Sequence, residues 1–259
     1  MSGAARDSNL PAVDDRLVAP ESRFEIWDGR VEYVAPADEP HGTQHSKLSA
    51  LLEAHVAADY EVASDMLTRT SQLDDVAPDA SVFPAARDAE TGQRRLEELA
   101  FEVASTETLN HVAGKARKLS DRGVRRIFAI DVTRRRAVEW SAATDSWSIL
   151  ERDAQIEDRA LAAPLPVRAL VSAAKADDAM ARALLAKKNP VLVEAVTRGK
   201  LEGKIEGKLE ALLAVLEARG FVLTDEQRRR LAGERDTERL ERWLRLAVTC
   251  TTPAALFER

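Results

Sequence analysis

Two short apolar runs constrain this chain more than any other feature. "VAPDASVF", Val76–Phe83, and "LAFEVAS", Leu99–Ser105, each read as a buried strand, and each carries one carboxylate, Asp79 and Glu102. Burying an unpaired ion is strongly unfavourable, so a fold that accepts both acids has to bring them partners. On neighbouring strands two inward acids meet on one face of a sheet. There they repel each other unless a cation lies between them. The competing reading is that each acid opens a turn or pairs with an arginine. Pro78-Asp79 suits a turn start, whereas an acid inside an apolar strand such as Glu102 needs a partner.

The flanking sequence predicts an α/β (α+β) domain around a mixed sheet. "RFEIWDGRVEYVAP" has two alternating runs around Asp28-Gly29, a hairpin signal. "HSKLSALLEAHVAADY" places Leu48, Leu51, Leu52, His55 and Val56 at helical spacing. "YEVASDMLTRT" reads as a strand, and the segment between the two acid-bearing strands reads as a loop. "TETLNHVAGKARKLSDRG" predicts a helix stopped by Gly123, followed by the strand "VRRIFAIDV" and a second hairpin in "RRAVEWSAATDSWSILER". After "LAAPLPVRALVSA" strands stop. Beyond Pro190 the chain reads as helical, with Thr224 as an N-cap and an apolar stripe of Leu240, Trp243, Leu244 and Ala247. The expected organisation is a mobile arm over 1–20, a sheet domain over 21–189 and an all-helical extension over 190–259.

A 259-residue chain with 45% hydrophobic and 32% charged residues can bury a sizeable core. One cysteine, Cys250, excludes a disulfide framework within the chain. The N-terminus has no apolar signal-peptide core and no run has membrane-spanning length, so a cytoplasmic protein is expected. The four histidines are scattered in sequence, which argues against zinc. No glycine-rich phosphate loop or Ser-His-Asp arrangement stands out.

The net charge is −6, but Lys115 to Arg136 holds nine basic residues against Asp121 and Asp131. A basic stretch beside paired carboxylates suits a polyanionic substrate with a metal at the cleavage point. Lys118, Arg122 and Arg125 are the expected nucleic-acid contacts, while Arg117 and Arg134–Arg136 suit a solvated face. Lys115 follows Gly114, one turn into the helix after the Glu102 strand, and can reach back over the strand end.

The tail opens on "GKLEGKIEGKLE", with a period of four. Each step of four advances about 400° around a helix, so each residue type forms a row. Leu201, Ile205 and Leu209 form an apolar row, flanked by Glu202, Glu206 and Glu210 on one side and Lys200, Lys204 and Lys208 on the other. A parallel second copy would set Glu rows against Lys rows, which predicts a homodimer through the tail. The alternative is a glycine-weakened linker helix.

The order Pro78-Asp79, then Glu102 in "FEVAS", then Lys115 resembles the PD-(D/E)XK nuclease superfamily. More closely, "RFEIWDGRVEYVAPADEPHG", "DMLTRTSQLDDVAPDASVF" and "LAFEVASTETLNHVAGKARKLSDRGVRRIFAIDV" resemble the bacterial Uma-like restriction endonuclease family, over about residues 20 to 150. The resemblance implies a restriction-endonuclease-like mixed sheet flanked by helices, and a metal-dependent endonuclease acting on DNA, with RNA not excluded. It implies that Asp79 and Glu102 bind Mg²⁺ or Mn²⁺, with Lys115 as the catalytic lysine displaced from the strand onto the helix. Ala104 stands where the superfamily's usual lysine would be. Glu25 and His41 match supporting positions; the competing readings are an exposed strand residue and a helix-start histidine without a ligand. Leu119, His111 and Phe128 depart from the family's usual residues. The alternative function is a catalytically inactive nuclease-fold module that binds nucleic acid or a protein partner.

Overall fold

Residues 24–34, 36–105 and 109–258 are described by a computed structural model. The arm expected over residues 1–20 lies outside the described residues. The predicted hairpin forms as β1 (Phe24–Trp27) and β2 (Arg30–Tyr33), with Trp27 opposite Arg30. Asp28 and Gly29 both take positive φ, 50° and 78°, as a tight two-residue hairpin turn requires. β1 also pairs with β5 (Asp75–Val76), which pairs with β4 (Thr68–Arg69), giving a four-stranded antiparallel sheet in the order β2-β1-β5-β4.

The larger sheet has six strands, in the order β10-β9-β8-β7-β6-β3. These are β3 (Tyr60–Ser64), β6 (Ala80–Pro84), β7 (Leu99–Ala104), β8 (Arg126–Asp131), β9 (Arg136–Ser141) and β10 (Ser146–Ile149). β7 and β8 are parallel and every other pairing is antiparallel. A parallel pair needs a long crossover. Here it contains α2 (Leu109–Arg122), which ends at Gly123 with φ of 111°.

Two expected strands are each broken between the sheets. "YEVASDMLTRT" forms β3 in the large sheet, turns at Asp65 (φ 53°) and continues as β4 in the small one. Val76–Phe83 likewise ends β5 at Val76 and starts β6 at Ala80. Pro78 has no N–H to donate to a ladder, so the chain leaves the sheet there. Asp79 therefore stands at the mouth of a strand, not in its middle.

β7 forms as one continuous, fully buried strand. Leu99, Phe101 and Val103 face a core shared with Leu48, Leu51 and Leu52 of α1 (Glu39–His55). Ala100 and Ala104 face the other way, against Ala116 and Val112 of α2. The period of two puts Glu102 on that same α2 side. Short strands β11 (Gln155–Ile156) and β12 (Leu165–Pro166) and helices α3 (Val167–Val171) and α4 (Ala173–Ala186) complete this unit.

A second compact unit begins at Asn189. It contains α5 (Pro190–Ala218), α6 (Asp225–Gly233), α7 (Thr237–Thr249) and a short 3₁₀ helix, Pro253–Phe257. Asn189, Thr224 and Asp236 cap the three α-helices, and Thr224 forms a reciprocal capping box with Gln227. Ile205 joins the unit's own core with Leu212, Leu240 and Trp243, and Leu209 packs at its edge. Lys208 is paired with Glu241 of α7. Most of the row expected to meet a second copy is thus used internally, while Leu201 stays 51% exposed. Among the described residues, no helix is long and apolar enough to cross a membrane.

Candidate active site

The chain crosses between the two sheets at Asp65 and again at Ala77–Asp79, and the crossings touch: Asp65 N–H donates to the Asp79 carbonyl at 3.3 Å. Glu25 comes from β1, Glu102 from β7, Lys115 from α2, and His41 and His45 from the first turns of α1. Glu25, Asp65, Asp79 and Lys115 line one cleft.

Lys115 is the hub. Its Nζ lies 3.0 Å from Glu25 Oε1 and 3.4 Å from Glu102 Oε2, and donates to the Ala77 carbonyl at 2.9 Å. Burial alone would push this ammonium's pKa down, but the Glu102, Glu25 and Asp79 carboxylates outweigh burial and hold it above its ordinary value. The register explains the reach. Gly114 lets α2 approach the hairpin, since a Cβ there would meet Trp27 Cζ3 at 3.2 Å.

Glu25 is buried, not an exposed strand residue. Besides Lys115 it accepts from Trp27 Nε1 at 2.7 Å and from Ala77 N–H at 2.9 Å. Asp79 Oδ2 accepts from Val103 N–H at 2.5 Å, and Oδ1 lies 3.3 Å from His41 Nε2. The hydrogen bond to Asp79 raises the His41 pKa against the opposing effect of burial. Asp38 caps α1 by accepting from His41 N–H at 2.8 Å, and it also accepts from Ser105 Oγ at 3.3 Å.

Glu102 is the costly member. Its carboxyl pKa is pushed well up by burial, with Asp79 and Glu25 adding to the effect and Lys115 opposing it. Its Oε1 is buried and has no hydrogen-bond partner among the described residues. The Glu25, Asp79 and Glu102 carboxyl groups surround one ammonium, whose Nζ lies within 3.4 Å of Glu25 and Glu102. An all-oxygen donor set with a free lone pair at Glu102 Oε1 fits a hard divalent cation such as Mg²⁺.

Two residues escape the sequence reading. His45 Nε2 lies 3.5 Å from Asp65 Oδ1, and this neighbouring carboxylate raises the His45 pKa despite burial. The spacing of His41 and His45, one helical turn, was the available signal. Asp65 gave none, because the run containing it reads as a continuous strand.

The basic stretch is largely neutralised by acids from elsewhere in the chain. Lys118 pairs with Asp28 at 2.8 Å and Asp74 at 2.5 Å. Arg125 pairs with Asp158 at 2.7 Å and Glu98 at 2.9 Å, none of them in the cluster. Arg126 pairs with Glu139, Arg117 with Asp145, and Arg134 and Arg136 with Asp131. Arg122 instead donates to the Arg69 carbonyl at 3.2 Å. The +7 of this segment is therefore not a free basic face. Of the three departures from the family's residues, Leu119 and Phe128 are fully buried and His111 stacks on Trp27 at 5.6 Å.

Residues 11–170 match the Uma2 family, described as "Putative restriction endonuclease". Among solved structures, the chain is similar to "a putative nuclease belonging to DUF820 from Anabaena variabilis ATCC 29413". The similarity has a TM-score of 0.50 at 17% identity and covers 62% of this chain and 98% of that one, which establishes a shared fold. No curated protein matches the chain. The family match spans more than half of the sequence and contains every residue of the cluster, and the chain belongs to the Uma2 family of restriction-endonuclease-like proteins.

Proposed function

We propose that this chain is a metal-dependent endonuclease that hydrolyses phosphodiester bonds in DNA, with Mg²⁺ or Mn²⁺ as its ion. The observation that carries the reading is that Asp79 and Lys115 line one cleft of a nuclease-family fold, with Glu102 buried 3.4 Å from Lys115. An inactive module would be expected to have lost an acid or the lysine, and all three are present.

Asp79 and Glu102 would hold the ion. When bound, such an ion polarises a phosphoryl oxygen and lowers the pKa of a coordinated water. Lys115 remains an ammonium at neutral pH, because its carboxylate neighbours favour the charged form. It therefore stabilises negative charge developing on the phosphate and does not take the proton from water. Glu25 positions Lys115 by its 3.0 Å contact, and His41 orients the Asp79 carboxylate. Arg122, on the same helix as Lys115, is the proposed backbone contact, since Lys118 is paired with Asp28 and Asp74. Self-association through α5 would rest on Leu201 alone of the repeat's apolar row. The whole cluster is contained in one chain.

The test is incubation of the purified chain with supercoiled plasmid, linear DNA and RNA in Mg²⁺ or Mn²⁺, with a chelator as control. Nicking or cutting of DNA that the chelator stops supports the reading. RNA cleavage alone would move the substrate, and no cleavage of either would favour the inactive module.

A further inference from the structure

His45 and Asp65 match no position of the nuclease pattern in sequence, yet the fold gathers them with His41 beside Asp79. The two histidine rings are 6.0 Å apart, centroid to centroid, and nearly parallel at 18°. One donor atom each from His45, Asp65 and Asp79 all lie within 4.8 Å of one another. His41 Nε2 adds a second imidazole 3.3 Å from Asp79 Oδ1. Hydrogen bonding leaves one ring nitrogen of the group unsatisfied. His45 Nε2 is buried and makes no hydrogen bond of good geometry among the described residues, and its approach to Asp65 is long at 3.5 Å.

We propose that His45, Asp65 and Asp79, with His41 beside them, form a second metal site that takes a first-row divalent transition ion of the Zn²⁺ or Mn²⁺ class. The donor set decides the ion. Asp79 and Glu102 offer oxygen alone, which suits Mg²⁺. The second set mixes imidazole nitrogen with carboxylate oxygen, which favours transition ions over Mg²⁺. Two carboxylates and one neutral imidazole supply three protein ligands and leave the fourth position of a four-coordinate site open. The histidines are presented on a rigid helix whose start is fixed by the Asp38 cap, so little ordering is needed to bind. The proposal shares Asp79 and its neighbour His41 with the nuclease site proposed above, while His45 and Asp65 belong to this site alone.

The test uses Co²⁺, whose visible absorption reports nitrogen ligation without any need for activity. The metal-stripped full chain is titrated with Co²⁺ at mildly alkaline pH, where imidazoles are neutral. A saturable visible spectrum is expected, persisting in excess Mg²⁺. His45→Ala and Asp65→Asn should weaken Co²⁺ binding by about tenfold or more, whereas Glu102→Gln should keep the spectrum. His45→Asn, checked by thermal melting, guards against a folding defect. No spectrum in the wild type, or titrations of His45→Ala and Asp65→Asn that match wild type, would overturn the proposal. A chain that binds Co²⁺ through His45 but cleaves nothing upholds this site and refutes the nuclease reading. A chain that cleaves in Mg²⁺ while its Co²⁺ binding ignores His45 does the reverse.

Discussion

Lys115 Nζ stands 3.0 Å from Glu25 Oε1, which ties the crossover helix of the large sheet to the first strand of the small one. The same ammonium lies 3.4 Å from Glu102, so it is the cation on which two buried carboxylates depend. Removing one partner of a buried pair leaves the other charge uncompensated, at about 3 kcal/mol or more. Lys115→Met is therefore expected to lose about that much stability in denaturant unfolding with chelator present, and to abolish cleavage. Unchanged stability would show that the carboxylates do not rely on it.

The closeness of α2 to the hairpin depends on Gly114, where an added Cβ would press on Trp27. Trp27 in turn donates to Glu25 at 2.7 Å. Gly114→Val is expected to displace the indole, shift tryptophan fluorescence and lower stability by about 2 kcal/mol. It should reduce cleavage although no charged group has been altered. A variant with native fluorescence and full activity would contradict this chain of contacts.

Arg125 and Arg122 should behave differently although both lie in the basic stretch. Arg125 holds the buried Asp158 carboxylate, so Arg125→Ala should cost about 2 kcal/mol and leave the salt dependence of DNA binding unchanged. Arg122 is held by a backbone carbonyl, so Arg122→Ala should lower the log–log salt slope by about one with little effect on stability. The slopes are read by titrating labelled DNA across a salt series in a Glu102→Gln background, where the substrate stays intact.

His55 is buried, and its ring Nδ1 is 2.8 Å from the Leu51 carbonyl. Burial, with Lys187 nearby, holds its pKa below the ordinary 6.5. As pH falls, the unfolded chain takes up this proton first. The stability contributed by neutral His55 is thus present above about 6.5 and is lost as pH falls toward the folded-state value. His41 and His45, both raised, slope the other way. The readable quantity is therefore the difference between wild type and His55→Gln. The variant should gain stability relative to wild type as unfolding is measured from neutral to mildly acidic pH. A constant difference would contradict the assignment.

Local patterns made parts of this fold legible. The Asp28-Gly29 turn, the α1 periodicity and the apolar run of β7 each depend on neighbours in sequence, and each appears where expected. The misread elements depend on distant partners. Pro78 carried a local signal for a break, but nothing local says that the chain changes sheets at Asp65, where the flanking residues are strand-like on both sides. The acids that neutralise the basic stretch, Asp158, Glu139 and Asp145, lie outside it in sequence, so a local charge count overstates the free charge. Glu25 was singled out only through the family resemblance, because its partners, Lys115 and Ala77, come from other elements. Asp79, Glu102 and Lys115 were legible through their order, yet the His45–Asp65 pair was hidden by the same sheet change.

The central claim is that Glu102 is retained for chemistry at the expense of stability. Its raised pKa means that the folded state disfavours the ionised carboxylate, so at neutral pH the charge destabilises the metal-free protein. The most direct measurement is Glu102→Gln, followed by thermal melting in chelator and by plasmid cleavage in Mg²⁺. The account predicts a melting temperature equal to or above wild type together with a fall in cleavage rate of about a hundredfold or more. Cleavage within a few-fold of wild type, or activity lost together with stability, would contradict it.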